Sequence, residues 1–226
     1  MMRLMVLTLS IFIALGIGTA IYAESHRAEV MRRVAQSMVV IHASSPEEES
    51  LGSGTVIGTV GGFSFVLTCH HVIADATNIA VIAAAQVKPL TGYLEADEPE
   101  RDLALLAVKA TLVPLPVATT PPALYDTVYV LGAPDGQDGS ASEGMVTRLS
   151  YALEPDSDDG MAQRFYRVTN AFMMPGISGG TATNTNGELI GVPVRAPKNT
   201  TQQGLLVAWP DVVPFIRGYT DGATRN

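Results

Sequence analysis

Apolar positions fall into two patterns: one continuous block at the start of the chain, then a series of short, punctuated runs. Leu4 to Ala23 is an uncharged run directly after Arg3. Its length suits a bilayer span, which takes about 20 residues, and exceeds the about 7 to 15 of a signal-peptide apolar region. Gly16 and Gly18 weaken its second half, and Gly18-Thr19-Ala20 or Ile21-Tyr22-Ala23 offer small-residue cleavage sites. Residues 1–23 are therefore expected to form an N-terminal hydrophobic helix that serves as a signal peptide or a membrane anchor. On either reading residues 24–226 lie outside the cytoplasm. Beyond this block, Glu29 to Ser37 places Val30, Val34 and Ser37 on one face, the spacing of a short helix.

From there the period shortens. Met38 to His42, Gly54 to Val60, Phe63 to Thr68, Ile79 to Ala83 and Leu103 to Val108 are β-branched or aliphatic runs bounded by Gly, Ser and Pro. Thr127 to Leu131, Gly144 to Leu149, Phe165 to Thr169, Leu189 to Val194 and Gly204 to Trp209 continue the series. Short runs with turn punctuation predict an all-β barrel or sandwich. The segment Pro114 to Pro122 reads as a loop within it. After Trp209 there is room for one terminal helix.

Composition narrows the function classes. A chain of 226 residues, 47% of them hydrophobic, buries enough core to need no disulfide or structural metal. Its single cysteine, Cys69, excludes an internal disulfide and any CxxC site. The net charge of −8, with acidic blocks at Glu47 to Glu49 and Asp156 to Asp159, excludes the basic footprint of a nucleic-acid binder. No HExxH or cysteine pair accompanies the histidines, so no metal site is expected.

Three segments carry candidate chemistry. In Pro175-Gly176-Ile177-Ser178-Gly179-Gly180 a serine between glycines sits on a tight turn that aims backbone N–H groups at one point, as an oxyanion requires. This hexapeptide also fits the G-x-S-x-G elbow of α/β-hydrolases, but that order needs a histidine after the serine. His26, His42, His70 and His71 all precede Ser178. The subtilisin order fails too, since Asp75, the first aspartate, follows every histidine. Only the order His, Asp, Ser survives. The base comes from His70 or His71, which point to opposite faces if the preceding strand continues through them. Asp102, at the start of the apolar run Leu103 to Val108, is placed to orient it. Cys69 reads as a small core side chain.

Taken together, these segments resemble the trypsin-like serine protease superfamily, most closely the bacterial HtrA (Deg) protease domain, from about Val30 to Phe215. GSGTVIG at Gly52 to Gly58, VLTCHHVI at Val66 to Ile73, RDLALLAV at Arg101 to Val108 and LGAP at Leu131 to Pro134 are similar to family motifs. So are NAFMMPGISGG at Asn170 to Gly180 and the strands GELIGVPV and GLLVAWP. The resemblance implies two six-stranded antiparallel β-barrels with the site in the cleft between them, a triad of His71, Asp102 and Ser178, and an oxyanion hole from the N–H groups of Gly176 and Ser178. It places a substrate pocket at Phe172, Met173, Met174, Val194, Arg195, Ala196, Gly204 and Leu206. The implied function is a serine endopeptidase acting on exported or cell-envelope polypeptides, with no cofactor, no nucleic-acid partner, and membrane contact through the N-terminal segment if that is uncleaved.

Two departures bear on that expectation. The family usually carries Asn or Asp before the serine, where this chain has Ile177. An inactive protease-fold binding or sensor module is therefore the alternative, with an esterase on the same fold as a third reading. Restoring a polar residue, as Ile177→Asn, is expected to leave Ser178 as reactive or more so. The family also usually continues into a PDZ domain; this chain carries no such segment, so PDZ-dependent activation and oligomers are not carried over.

Overall fold

The β-branched runs become strands that close on themselves twice. The computed structural model describes residues 23–84, 86–136, 139–151, 165–171, 173–195 and 203–220; the apolar block 4–22, Phe172 and Ala196 lie outside them. After a helix α1 over 23–35 come β1 (Met38–Ser44), β2 (Glu49–Val60), β3 (Phe63–Thr68), a single helical turn α2 (His70–Ile73), β4 (Asn78–Ala83), β5 (Leu90–Glu98) and β6 (Leu103–Val108). These six strands form a closed antiparallel barrel in the order β1-β2-β3-β6-β5-β4. A second closed barrel, β10-β11-β12-β9-β8-β7, is built from β7 (Thr127–Gly132), β8 (Ser140–Tyr151), β9 (Phe165–Thr169), β10 (Thr181–Thr183), β11 (Leu189–Arg195) and β12 (Gln203–Ala208). Helix α3 (Trp209–Thr220) ends the described chain. Among the described residues no helix is long and apolar enough to cross a membrane.

The ten sequence-predicted runs all fall on these strands, the last overrunning β12 by one residue, since Trp209 opens α3. Two strands escaped: β5 and β10. No residue of β5 is fully buried and a bulge between Leu94 and Ala96 interrupts its register, so LTGYLEADE shows no sustained alternation of apolar and polar positions. β10 has three residues, too few for any period.

One apolar core joins the barrels. Ile41, Val66, Leu67 and Leu106 of the first barrel belong to the same buried cluster as Phe165, Leu189 and Leu205 of the second. Both flanking helices contribute to it, through Val30 and Val34 of α1 and Val212 and Ile216 of α3. Helix α1 sits over the β10–β11 turn, where Gly187 leaves no side chain: an added Cβ would stand 3.2 Å from both Val30 Cγ1 and Val34 Cγ2. From the second barrel α3 returns to the first, its Tyr219 ring 5.1 Å from that of Phe65. Two buried hydroxyls on β2 cross the junction, Thr55 Oγ1 to Thr181 Oγ1 at 2.6 Å and Ser53 Oγ to the Gly176 carbonyl at 2.7 Å.

A candidate active site between the two barrels

The histidine segment departs from simple strand alternation. β3 ends at Thr68, Cys69 stays extended, and His70 and His71 open the turn α2. Neighbours on a helix diverge by about 100° rather than 180°, and here the two rings find two different aspartates. His70 Nδ1 lies 2.8 Å from Asp97 Oδ1 on β5. His71 Nδ1 lies 2.7 Å from Asp102 Oδ2 and 3.0 Å from Oδ1, and the His71 backbone N–H donates to Oδ1 at 2.9 Å. With Nδ1–H donating to a carboxylate, a neutral imidazole presents Nε2 as an acceptor. The His71 side chain is 48% exposed while that of Asp102 is 11% exposed.

Asp102 adopts the left-handed conformation (φ 52°, ψ 42°) at the end of the 3-10 turn Pro99–Arg101, its N–H bonded to Pro99 O at 3.0 Å. Aspartate tolerates this region better than most residues. The kink lets β6 begin immediately afterwards with its six residues fully buried, so the carboxylate is anchored by a strand that cannot move without opening the core.

Cys69 is buried beside this pair. Its thiol donates to Pro193 O at 3.4 Å. Burial, and then the charge of Asp102, push the thiol well above its usual value, against a smaller downward pull from the Gly179 N–H. Ligand atoms of Cys69, His71 and Asp102 lie within 4.8 Å of one another. Yet Nδ1 and the carboxylate are engaged with each other and the thiol is held protonated, a poor donor set for a cation.

The serine loop is organised by its carbonyls. Met174-Pro175-Gly176-Ile177 is a type II turn: Pro175 stands at the second position, Gly176 at the third with φ +93°, and Ile177 N–H donates to Met174 O at 3.1 Å. Pro175 O accepts from Asp135 N at 3.3 Å, Gly176 O from Ser53 Oγ at 2.7 Å, Ile177 O from Gly180 N at 2.9 Å, and Ser178 O from Ser53 N at 2.8 Å. Because the N–H and C=O of a peptide group point in opposite directions, the N–H groups of Gly176 and Ser178 face away from the Asp135 and Gly180 amides. Among the described residues neither has an acceptor. Two unengaged donors on a turn held by its carbonyls are the kind of group a developing oxyanion needs.

Ile177 is central to that rigidity. Its side chain is 3% exposed and packs in the core of the second barrel with Val128, Val130 and Leu206. Gly132 makes room for it: a Cβ there would stand 2.9 Å from Ile177 Cα.

The histidine and serine segments are brought together through glycines. A Cβ on Gly52 would stand 2.5 Å from Cγ1 of Val72, the residue after His71, and 3.1 Å from Ser178 O. On Gly179 it would stand 2.3 Å from Thr68 Oγ1 and 2.9 Å from Cys69 N. Ser178 Oγ itself donates to Val194 O at 2.5 Å. That carbonyl is supplied by a bulge, since Pro193 pairs with Leu206 and Arg195 with Leu205, leaving Val194 unpaired. Its neighbour Pro193 O accepts from both Gly179 N–H and the Cys69 thiol.

Of the expected substrate-pocket residues, Met173, Met174 and Val194 line a cavity of about 270 Å³ with Ser178, joined by Pro175, Ile177 and Pro193, which the sequence reading did not include. Gly204 lies under it, its missing side chain replaced by Met173, whose Cγ is 2.4 Å from where a Cβ would be. Leu206 is fully buried in the core and so belongs to the floor rather than the lining. Phe172, Ala196 and the Arg195 side chain are outside the description. A smaller cavity of about 130 Å³, bordered by Ser45, Glu48, Ser50 and Asp75, opens on His71.

The family model described as trypsin-like peptidase domain matches residues 52–192. The chain belongs to this family. A "probable periplasmic serine endoprotease DegP-like" of Pseudomonas putida (strain W619) is 33% identical over 148 residues, 65% of this chain and 29% of that protein, so the chain spans under a third of such relatives. Among solved structures, the active form of the Rv3671c protease from M. tuberculosis is similar over 87% of this chain and 85% of its own, at 26% identity and TM-score 0.72. The serine endoprotease from Yersinia pestis is similar over 87% of this chain and 67% of its own, at 25% identity and TM-score 0.69.

Within the family frame, burial of Ile177 reverses the expectation for its replacement. Asparagine would bring an amide into an apolar site and vacate packing volume, costing about 2–4 kcal/mol. Ile177→Asn should therefore unfold at lower denaturant concentration and react more slowly with a fluorophosphonate at Ser178. Unchanged unfolding with equal or faster labelling would contradict this packing role.

Proposed function

We propose that the chain is a serine endopeptidase in which Ser178 is the nucleophile, His71 the general base and acid, Asp102 the orienting carboxylate, and the N–H groups of Gly176 and Ser178 the oxyanion hole. The observation that carries this reading is the pair of N–H groups, of Gly176 and Ser178, that have no acceptor among the described residues on a loop whose five carbonyls are all engaged. Buried Asp102 beneath His71 supports it, since that contact fixes the tautomer and stabilises the imidazolium.

In the proposed reaction Ser178 Oγ adds to the scissile carbonyl carbon while its proton passes to His71 Nε2. The C–N bond breaks as His71 returns that proton to the leaving amine, giving an acyl-enzyme. Water then repeats the sequence against the ester, releasing the acid and restoring the hydroxyl. Attack requires the hydroxyl to turn from Val194 O toward Nε2. A substrate N–H that competes for the Val194 carbonyl favours that turn.

The cavity beside Ser178 is apolar, and neither its described lining nor Met173 above Gly204 supplies a carboxylate. A cationic side chain there would be buried without a partner, which is strongly unfavourable. The proposed substrates are therefore polypeptides with a small or medium apolar residue before the scissile bond. We assign this chemistry to residues 24–226, outside the cytoplasm, with residues 1–23 as signal peptide or anchor; the periplasmic designation of the similar Pseudomonas protein agrees with that location.

Fluorophosphonate labelling of the protein tests the central assignment. Ser178 is expected to be the labelled residue, His71→Ala to lose nearly all labelling and peptide turnover, and His70→Ala to keep most of both. A folded wild type that resists the reagent would favour the binding-module reading, and comparable losses in both histidine variants would overturn the choice of His71. Peptide-library cleavage should show apolar residues before the cut; dominance of Lys or Arg would contradict the pocket reading, and cleavage of esters without peptides would favour an esterase.

A further inference from the structure

The polar side chain that the family usually places before the nucleophile is missing here, yet the loop is locked. What holds it comes from the other barrel. Ser53 is fully buried on β2 and makes four contacts at the barrel junction. Its Oγ donates to Gly176 O at 2.7 Å and accepts from Ala133 N at 2.9 Å. Its N–H donates to Ser178 O at 2.8 Å, and its carbonyl accepts from Thr68 Oγ1 at 2.7 Å.

We infer that Ser53 is a positioning residue for the oxyanion hole, its hydroxyl fixing the Gly176–Ile177 peptide that lies between the two peptides whose N–H groups form the hole. This rests on the peptidase reading. The loop's weak point is Gly176, which without a Cβ passes readily between φ of either sign. A flip of the Pro175–Gly176 peptide would withdraw one donor and present a carbonyl instead. On one side of Gly176 that flip is opposed by the Asp135 N–H at 3.3 Å, long for a hydrogen bond. On the other side stands the Ser53 hydroxyl at 2.7 Å, the short, well-formed contact of the two. By accepting from Ala133 N, the same oxygen ties the loop to the turn that follows β7. Through its carbonyl Ser53 also meets Thr68 at the end of the histidine strand, so one residue spaces the hole relative to the base.

A structural role alone would also lower stability, so the test compares Ser53→Ala with Thr55→Val. The latter removes the neighbouring buried cross-barrel bond from the same strand without touching the loop. Steady-state peptide cleavage, thermal unfolding and binding of a peptide aldehyde, which forms a tetrahedral adduct with the nucleophile, are measured on both variants and the wild type. Ser53→Ala should lose about 10-fold or more in kcat with KM within about twofold. Aldehyde affinity should fall by a similar factor, while Thr55→Val at a comparable Tm keeps wild-type kcat. Equal kcat losses in the two variants, or wild-type kcat in folded Ser53→Ala, would overturn the inference. If Ser53→Ala does not fold, Ser53→Cys, which keeps a weaker donor, should show an intermediate kcat; an undiminished one overturns the role. An inactive wild type condemns the peptidase reading and this role with it, whereas an active wild type beside an unimpaired Ser53→Ala condemns the role alone.

Discussion

Five consecutive carbonyls, from Met174 to Ser178, are each held by a donor, and much of the architecture around the barrel junction serves that arrangement. Each has its own donor: Ile177 N, Asp135 N, Ser53 Oγ, Gly180 N and Ser53 N. Two of the five come from the first barrel, so the loop receives its full set of donors only when the barrels are docked. The shared apolar core enforces that docking, because Phe165, Leu189 and Leu205 are buried in the same cluster as Ile41 and Leu67. Ile177 extends the same logic inward. In place of a polar lock it uses burial against Gly132, a fit set by the absence of a single side chain. Hydrogen bonding and packing thus fix one short loop from opposite sides.

The charged half of the site follows a different rule. Asp102 is nearly buried, a costly location for a carboxylate unless donors surround it, and it receives both the Nδ1 and the backbone N–H of His71. Its left-handed backbone lets it receive them while Leu103 enters the core at the next position. The Cys69 thiol is buried behind the pair, and burial together with the charge of Asp102 raises its pKa and keeps it protonated.

How much of this was legible in the sequence depended on how local each signal was. The apolar strands were readable because barrel walls alternate or bury whole runs, as β6 does. β5 was not, since it buries no residue fully and a bulge interrupts its register, and neither was β10, which is too short for a period. The order of His71, Asp102 and Ser178 excluded two unrelated catalytic arrangements before any geometry was known. That His71 rather than His70 belongs with Asp102 was legible only through the family resemblance, and the His70–Asp97 contact was hidden, because the chain leaves β3 for a helical turn that no pattern at Cys69 announces. Ser53 was hidden more deeply. A serine between two glycines reads as an ordinary strand residue, and its partners are 80 and 123 positions away. Ile177 read as a lost hydrogen bond, and only the tertiary packing turns it into a gained contact.

The central claim is that the loop presents two N–H donors to an oxygen bound at Ser178, and the most direct test is a crystal structure of the protein reacted with a peptidyl boronic acid carrying an apolar first residue. The account predicts a covalent bond from Ser178 Oγ to boron and one boronate oxygen about 2.7–3.1 Å from both Gly176 N and Ser178 N, with the Pro175–Gly176 peptide oriented as described. An adduct whose boronate oxygen meets the Pro175 carbonyl instead, or crystals in which Ser178 remains unmodified at saturating inhibitor, would contradict it.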